Sequence, residues 1–284
     1  MEASRAVLVT GASTGIGRRI TERLAASGYF VYAGVRKSGD IKALGGIGNV
    51  EPIRLDVTNP NDIAAALVTV TDAKRGLYGL VNNAGIATVD SLVTGNEAEF
   101  ELVMSVNVHG VYRVTKSFAP LIIANKGRIV MIGSISGILA DANIGAYSMS
   151  KHAIEAFTDS LAAELLPSGV GVSVIEPGNL NTNIARNAIE RRGTDGGFPD
   201  LSKCPEPGVV ADAVMLALTE PEPRRRYLVV STEVEARVTI KKQISQLVQL
   251  NEGHRYSYSR SALLEMLDCA LTNARSTTKG TSGA

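Results

Sequence analysis

Residues 5–26 read RAVLVTGASTGIGRRITERLAA. Arg5 to Thr10 is a short run rich in β-formers, and an amphipathic segment extends through Ala26. Between them stands Thr10-Gly11-Ala12-Ser13-Thr14-Gly15-Ile16-Gly17, with glycines spaced Gly11-x-x-x-Gly15-x-Gly17. Glycines here permit a tight turn and close approach of backbone to a pyrophosphate, and the N-terminus of the next helix attracts the anion. A lone glycine triplet is a common turn. One that leaves a strand and opens a helix reads as a nucleotide loop. Its contacts would come from Gly11, Ser13, Thr14, Gly15, Ile16 and Gly17.

Outward from this loop the chain alternates strands and helices. Further strands are expected at Phe30–Val35, Val50–Leu55, Leu77–Val81, Arg128–Ile132, Val170–Ile175 and Tyr227–Val230. Asn59 reads as an N-cap with Pro60 at the first helical position, and Ile63, Leu67 and Val70 follow at helical spacing. Longer helices are expected from Glu97 to Ala124, with Pro120 as a place where it kinks or ends, from Gly145 to Leu166, and from Pro207 to Leu218. Such alternation builds an α/β fold: a doubly wound parallel sheet of about seven strands with helices on both faces, its ligands at the carboxyl ends of the strands. Residues 1–275 read as a single dinucleotide-binding and catalytic domain. Within it, 183–205 is rich in Gly, Arg and Asn, lacks a period, and reads as a flexible lid or substrate loop. Residues 232–271 carry two amphipathic helical patterns, a C-terminal helical extension suited to packing near the pocket mouth or to a subunit contact. The Ser/Thr/Gly-rich stretch 276–284 reads as a disordered tail.

Composition narrows the function classes. The chain has 284 residues, 45% apolar and 20% charged, with a formal net charge of +1. That balance offers no surface for nucleic acid. Two cysteines, Cys204 and Cys269, make a poor disulfide framework, which favours a reducing compartment. No apolar run reaches the roughly 20 residues of a membrane span, and MEASRAVLVTG goes almost directly into a strand with no room for a signal peptide. A cytoplasmic location is therefore expected. His109, His152 and His254 show no metal-ligand spacing, and no metal is expected.

The strand ends carry the remaining binding signals. A carboxylate after the second strand would select NAD; Val35-Arg36-Lys37 has none, and the planar fork of Arg36 suits a 2′-phosphate. NADP is therefore expected, with NAD possible, and the Ser13 hydroxyl is a further contact. Asp56 and Val57, after the third strand, could receive the adenine, although an Asp there is also a common turn former or cap. Asn82-Asn83-Ala84-Gly85 follows the fourth strand, and Asn83, Ala84 and Gly85 suit close packing on the cofactor. In Glu176-Pro177-Gly178-Asn179-Leu180-Asn181-Thr182, the backbone at Pro177 and Gly178 could meet the carboxamide, and Thr182 the phosphates.

Chemistry enters with YSMSK. Tyr147 and Lys151 are one helical turn apart and share a face. A tyrosine near pKa 10 is a poor base at neutral pH, and an adjacent ammonium, reinforced by a cationic nicotinamide, should lower it. Tyr147 could then exchange a proton with a carbonyl or alcohol oxygen as hydride moves, while Ser134 hydrogen-bonds the same oxygen. Asn107 lies on the apolar stripe Phe100, Met104, Val111, Val114, Phe118, Leu121. A buried amide needs its hydrogen bonds met. Either a neighbouring loop satisfies it, or it holds a water that links Lys151 to solvent.

TGASTGIG, DV, NNAG, the Asn of SVNVHG, the Ser of GSISG, YSMSK and PGNLNT stand in the order of the short-chain dehydrogenase/reductase family. The chain resembles the compact, single-domain branch of that family over residues 5–230. The resemblance maps the family's serine, tyrosine, lysine and asparagine onto Ser134, Tyr147, Lys151 and Asn107. It implies a Rossmann-type sheet, NAD(P), reversible carbonyl/alcohol redox, and a homodimer or homotetramer built on the long helix and the Tyr147 helix. DVTNPNDIAAA, GLYGLVNNAGI, EAFTDSL and IEPGN are similar to the retinol and hydroxysteroid dehydrogenase branch, which implies a bulky apolar, steroid-like or xenobiotic carbonyl substrate. Three other readings fit less well. A hydrolase would need a nucleophile elbow, and Gly133-Ser134-Ile135-Ser136-Gly137 has Ile at its centre. A non-catalytic nucleotide sensor would be expected to lack a catalytic side chain. An epimerase or dehydratase of the larger branch needs a bigger C-terminal region.

Overall fold

The computed structural model describes residues 5–192 and 200–279. Up to Ala236 the chain forms one compact unit, and a second begins at Arg237. The first is built on seven parallel strands: β1 (Ala6–Thr10), β2 (Phe30–Val35), β3 (Val50–Arg54), β4 (Gly79–Asn82), β5 (Arg128–Ile132), β6 (Gly171–Pro177) and β7 (Arg226–Val229). They lie in the order β3-β2-β1-β4-β5-β6-β7. The strand order reverses between β1 and β4, which pair through Val7↔Gly79, Leu8↔Leu80 and Val9↔Val81. In such sheets the crevice outside the carboxyl ends at that point receives the ligand.

Helices cover both faces: α1 (Gly15–Ala26), α2 (Ser38–Leu44), α3 (Pro60–Asp72), α4 (Glu97–Met104), α5 (Val111–Ala124), α6 (Gly145–Leu165), α7 (Ile184–Arg192) and α8 (Gly208–Thr219). The period of two along β1 divides the core. Ala6 and Leu8 join the layer of Val70, Val114, Phe118 and Ile154, whereas Val7 and Val9 join Ile20, Leu24, Val210 and Val214. With both faces buried, strands such as VLVT and IVMI need no polar alternation. Local signals start the helices as read: Asn59 Oδ1 accepts from Asn61 N at 2.9 Å, with Pro60 in the first turn.

Four features depart from the sequence reading. The helix expected over Glu97–Ala124 is interrupted by a π-helical turn, Ser105–Gly110, between α4 and α5. Pro120 does not end it; the proline is exposed, and α5 continues to Ala124. The stretch 183–205 contains helix α7, which buries Ala185 and Ala188 three residues apart, while 193–199 lie outside the described residues. Helix α2, whose Leu44 is fully buried, lies between the second and third strands, where the sequence reading places no element.

The helical region expected over 232–271 comprises α9 (Glu233–Asn251), which carries the chain into the second unit, and α10 (Arg260–Lys279). Asn251 clasps the connecting turn, donating to Tyr258 O at 3.0 Å and accepting from Tyr258 N at 2.8 Å. Helix α10 runs into the stretch read as a tail from Ser276, and 280–284 lie outside the described residues. No helix among the described residues is long and apolar enough to cross a membrane.

Phe118 is fully buried between α5 and the sheet. Phe118→Ala should destabilise the fold by about 3–5 kcal/mol, read as a lowered urea midpoint with an unchanged slope.

Candidate active site

The glycine loop is shaped for an anion. Gly11 and Gly15 adopt φ of +65° and +54°, values that side-chain-bearing residues rarely take. A Cβ on Gly17 would strike Gly11 O and Asn83 Nδ2, and one on Gly15 would lie 3.5 Å from Thr182 Cβ. The loop and Thr182 therefore lie face to face. Helix α1 opens at Thr14 with extended backbone, no side-chain cap and no acidic residue in its first turn. Its free N–H groups and positive dipole end suit a phosphate. These features fit a dinucleotide. Ile16 anchors the loop by packing against the core on the α1 face.

Ala12 N donates to Gly34 O at 3.0 Å, which holds the loop against the end of β2. Arg36 follows two residues later and is exposed, with Ser13 half-buried on the loop. Asp56 and Val57 are placed less openly. Asp56 Oδ1 accepts from Thr58 N at 2.9 Å and Thr58 Oγ1 at 2.6 Å, and Val57 is buried so closely on Gly110 that a Cβ there would lie 2.6 Å from Val57 Cγ2. Asp56 is thus a turn former, and Val57 packs beneath the π-helical turn.

The fourth strand end binds the site together. Asn83 Nδ2 donates to Thr10 O at 2.9 Å and Gly11 O at 3.1 Å, while Thr10 Oγ1 accepts from Asn83 N and Ala84 N, both at 3.0 Å. Thr10 was read only as a strand end. A strand-end threonine beside NNAG is the signal that could have marked it. At the sixth strand end, Gly178 N donates to Val229 O at 2.9 Å. Glu235 Oε1 accepts from Asn179 N at 2.9 Å and Glu235 Oε2 from Ser231 N at 3.1 Å, bracing the loop that follows Pro177. Glu235 is far in sequence, and no local pattern points to it.

Ser134, Tyr147 and Lys151 converge at the end of β5. Ser134 has extended backbone, and its Oγ accepts from Ser136 N at 3.1 Å. Lys151 is buried, and its Nζ donates to Ile132 O at 2.8 Å and lies 5.6 Å from the Tyr147 ring centroid. Burial lowers the ammonium to about pKa 8, with the Glu155 carboxylate opposing. The phenol departs from the sequence expectation: burial pushes Tyr147 up from its ordinary value, and the hydrogen bond with Ser134 offsets only part of the rise. The physical reason is that Tyr147 loses water while the Lys151 ammonium is spent on the Ile132 carbonyl.

Asn107 is buried in the π-helical turn. Its Oδ1 accepts from Ile86 N at 2.9 Å, and its Nδ2 donates to Ile86 O and Ser150 Oγ, each at 2.9 Å. Ser150 Oγ donates in turn to Tyr147 O at 2.7 Å. The amide is thus met by the loop after NNAG and by the Tyr147 turn, and both of its N–H groups are used. A Cβ on Gly85 would lie 3.5 Å from Asn107 Oδ1 and 3.9 Å from Lys151 Nζ, so both groups border one small space. Beside the Tyr147 turn is a cavity of about 290 Å³, lined in part by Thr88, Leu92, Asn96, Phe100 and Ala146. Ser134, Tyr147 and Lys151 do not line it.

Comparison with known proteins bears on the family and the fold. Mouse mitochondrial D-beta-hydroxybutyrate dehydrogenase is 38% identical over 186 residues, 62% of this chain and 54% of that protein. Human 11-beta-hydroxysteroid dehydrogenase type 2 is 36% identical over 192 residues, 65% of this chain and 47% of that protein. Each match spans about half of the relative's own length. The crystal structure of a short chain dehydrogenase from Burkholderia cenocepacia J2315 in complex with NADP superposes with a TM-score of 0.71 at 26% identity, covering 88% of this chain and 97% of that one. The short chain dehydrogenase profile matches residues 5–193, and the chain belongs to that family.

Proposed function

We propose that this protein is an NADP(H)-dependent oxidoreductase that interconverts a ketone or aldehyde with an alcohol, acting on a bulky, largely apolar carbonyl compound. One observation carries the reading. The run 82–85 touches the nucleotide loop through Asn83 and borders the Lys151 ammonium at Gly85, so the anion cradle and the Ser134–Tyr147–Lys151 group form one site.

The roles follow from the geometry. The cofactor supplies or accepts the hydride when bound. Tyr147 gives its proton to the carbonyl oxygen as negative charge develops there; burial keeps the phenol protonated, as a general acid requires. Ser134, within hydrogen-bonding reach of Tyr147, steadies the same oxygen. Lys151 holds a positive charge beneath the phenol and favours phenolate after transfer. A replacement proton would pass through the space at Gly85, between Asn107 Oδ1 and Lys151 Nζ.

Exposed Arg36, with no acid at the β2 end, supports NADP over NAD, as does the NADP bound by the Burkholderia neighbour. The apolar side chains of Leu92 and Phe100 in the neighbouring cavity, and the steroid named for the human relative, support a bulky substrate. Exposed Tyr112 on α5 and Met149 on α6 are consistent with these helices forming a subunit contact.

The test is NADPH oxidation across carbonyl compounds of graded size, with the alcohol identified. Turnover of bulky apolar ketones is expected; a panel in which only small polar carbonyls react would refute the substrate class. Tyr147→Phe should lower kcat by about 100- to 10,000-fold while NADPH affinity, read by fluorescence titration, stays nearly constant. Retained turnover would remove the proposed acid. Arg36→Asp should move the NADP/NAD ratio of kcat/KM toward NAD by about 10- to 100-fold, the scale of losing charge-assisted phosphate bonds. An unchanged ratio would place the selectivity elsewhere.

A further inference from the structure

Two carboxylates lie behind the catalytic helix, and the reaction above uses neither. Glu155 stands one helical turn after Lys151 on α6, and Glu176, which is 2% exposed, is the last residue of β6 before Pro177. One guanidinium serves both. Arg226 Nε on β7 lies 3.0 Å from Glu155 Oε2 and 3.7 Å from Glu176 Oε1, and Arg226 Nη2 donates to Asp159 Oδ2 at 2.7 Å. The Oε1 atoms of Glu155 and Glu176 are both enclosed and have no hydrogen-bond donor. Two buried anionic oxygens without donors are costly, and two such carboxylates cannot both ionise cheaply.

The space occupied by Glu155 is shaped for it. A Cβ on Gly133 would lie 3.4 Å from Glu155 Oε1; one on Gly137 would lie 3.2 Å from the same atom and 3.1 Å from Lys151 O. Gly137 therefore leaves room that this carboxylate fills, whereas at Gly133 a Cβ would first meet Val174 Cγ2, at 2.7 Å. From α6 the pair is faced by Lys151, His152 and Asp159, and from β7 by Arg226. Arg225, beside it, donates to Val172 O at 2.7 Å. The 133–137 turn carries no titratable side chain.

We propose that Glu155 and Glu176 hold one proton between them, and that this carboxyl–carboxylate pair is a positioning element that ties the Ser134 turn to the Lys151 helix and keeps negative charge behind the ammonium. Protonation of one carboxyl removes one of the two enclosed anionic oxygens, which lowers the cost of burying the pair beside a single guanidinium. Burial first, and then the Glu155 charge, push Glu176 up to about 7, and burial also raises Glu155. The sign for stability follows. A carboxyl raised in the folded state contributes most at low pH, and that contribution is lost as pH rises from the unfolded carboxylate range through about 7. For Lys151 the sign is opposite: the Glu155 charge supports the ammonium against the burial that draws it down to about 8.

The test uses the full chain labelled with glutamate carrying carbon-13 at the side-chain carboxyl, together with Glu176→Gln and Glu155→Gln. One wild-type carboxyl signal is expected to remain protonated at about pH 6 and to titrate near neutrality, and Glu176→Gln should lack it. The Tm of Glu176→Gln should match wild type near pH 5 and exceed it near pH 8. A wild type with every carboxyl ionised at pH 6, or a Glu176→Gln less stable than wild type at pH 8, overturns the shared proton. The positioning role rests on the carbonyl reduction proposed above and is read separately. Glu155→Gln should move the basic limb of kcat/KM to lower pH by about one unit, and Glu176→Gln, the milder change, should move it in the same direction. A limb that stays in place, with kcat reduced equally at every pH, overturns the positioning role. The titration needs no turnover, so an enzyme inactive on every carbonyl would sink the proposed function while leaving the shared proton decided by the carboxyl signals.

Discussion

A positive charge buried at the end of the central strands governs this site. Lys151 lies beneath the end of β5, where its Nζ donates to Ile132 O, and this bond joins α6 to the strand end. The spacing of the helix then places Tyr147 one turn earlier, over the same strand end. Loss of water weakens the ammonium, so nearby groups must support it, and the chain provides carbonyl, ring and carboxylate in turn. Crowding around this one nitrogen also explains the glycines: Gly85 borders Nζ, and Gly137 lies against the Lys151 carbonyl.

The other strand ends are joined by side-chain amides and hydroxyls. Thr10 and Asn83 stitch the glycine loop to the loop after β4, and Asn107 stitches that loop to α6 by way of Ser150. Backbone bonds join some neighbouring ends, as from Ala12 N to Gly34 O and from Gly178 N to Val229 O, and gaps remain between the loops. Short polar side chains close these gaps while satisfying backbone groups that would otherwise be buried unpaired. The glycine loop and the Ser134–Tyr147–Lys151 group are consequently linked through the protein itself.

Much of this was legible in the sequence because it is local. β1, β2 and β5 are apolar runs bounded by glycine or polar residues, and the N-cap at Asn59 with Pro60 announces α3 within two residues. Tyr147, Lys151 and Ser134 were readable as chemistry because a phenol, an amine and a hydroxyl at strand and helix ends have few joint uses. What escaped depends on distant contacts. The stripe Met104, Asn107, Val111 has the same spacing whether the turn is α or π, and the wide turn accompanies amide bonds to Ile86, 21 residues earlier. Helix α7 is only nine residues long, and its apolar stripe, Ile184, Ala185, Ala188 and Ile189, is too short to stand out. Nothing local marks Glu155 and Glu176, since the arginine on β7 that lies against both is distant in sequence.

The π-helical turn also makes chain length between α4 and α5 critical. A π turn holds one residue more than an α turn over the same span. Adding one further residue to 105–110 would leave nothing to absorb it and would rotate one flank against the other by about 100°. Val114, Phe118 and Ile122 would then swing off the sheet together. Removing one residue would instead close the turn to its regular form with both flanks kept on their faces, and would take Asn107 out of its bonds to Ile86. Substitutions in this segment can be judged side chain by side chain, whereas a change of length acts on the whole segment at once.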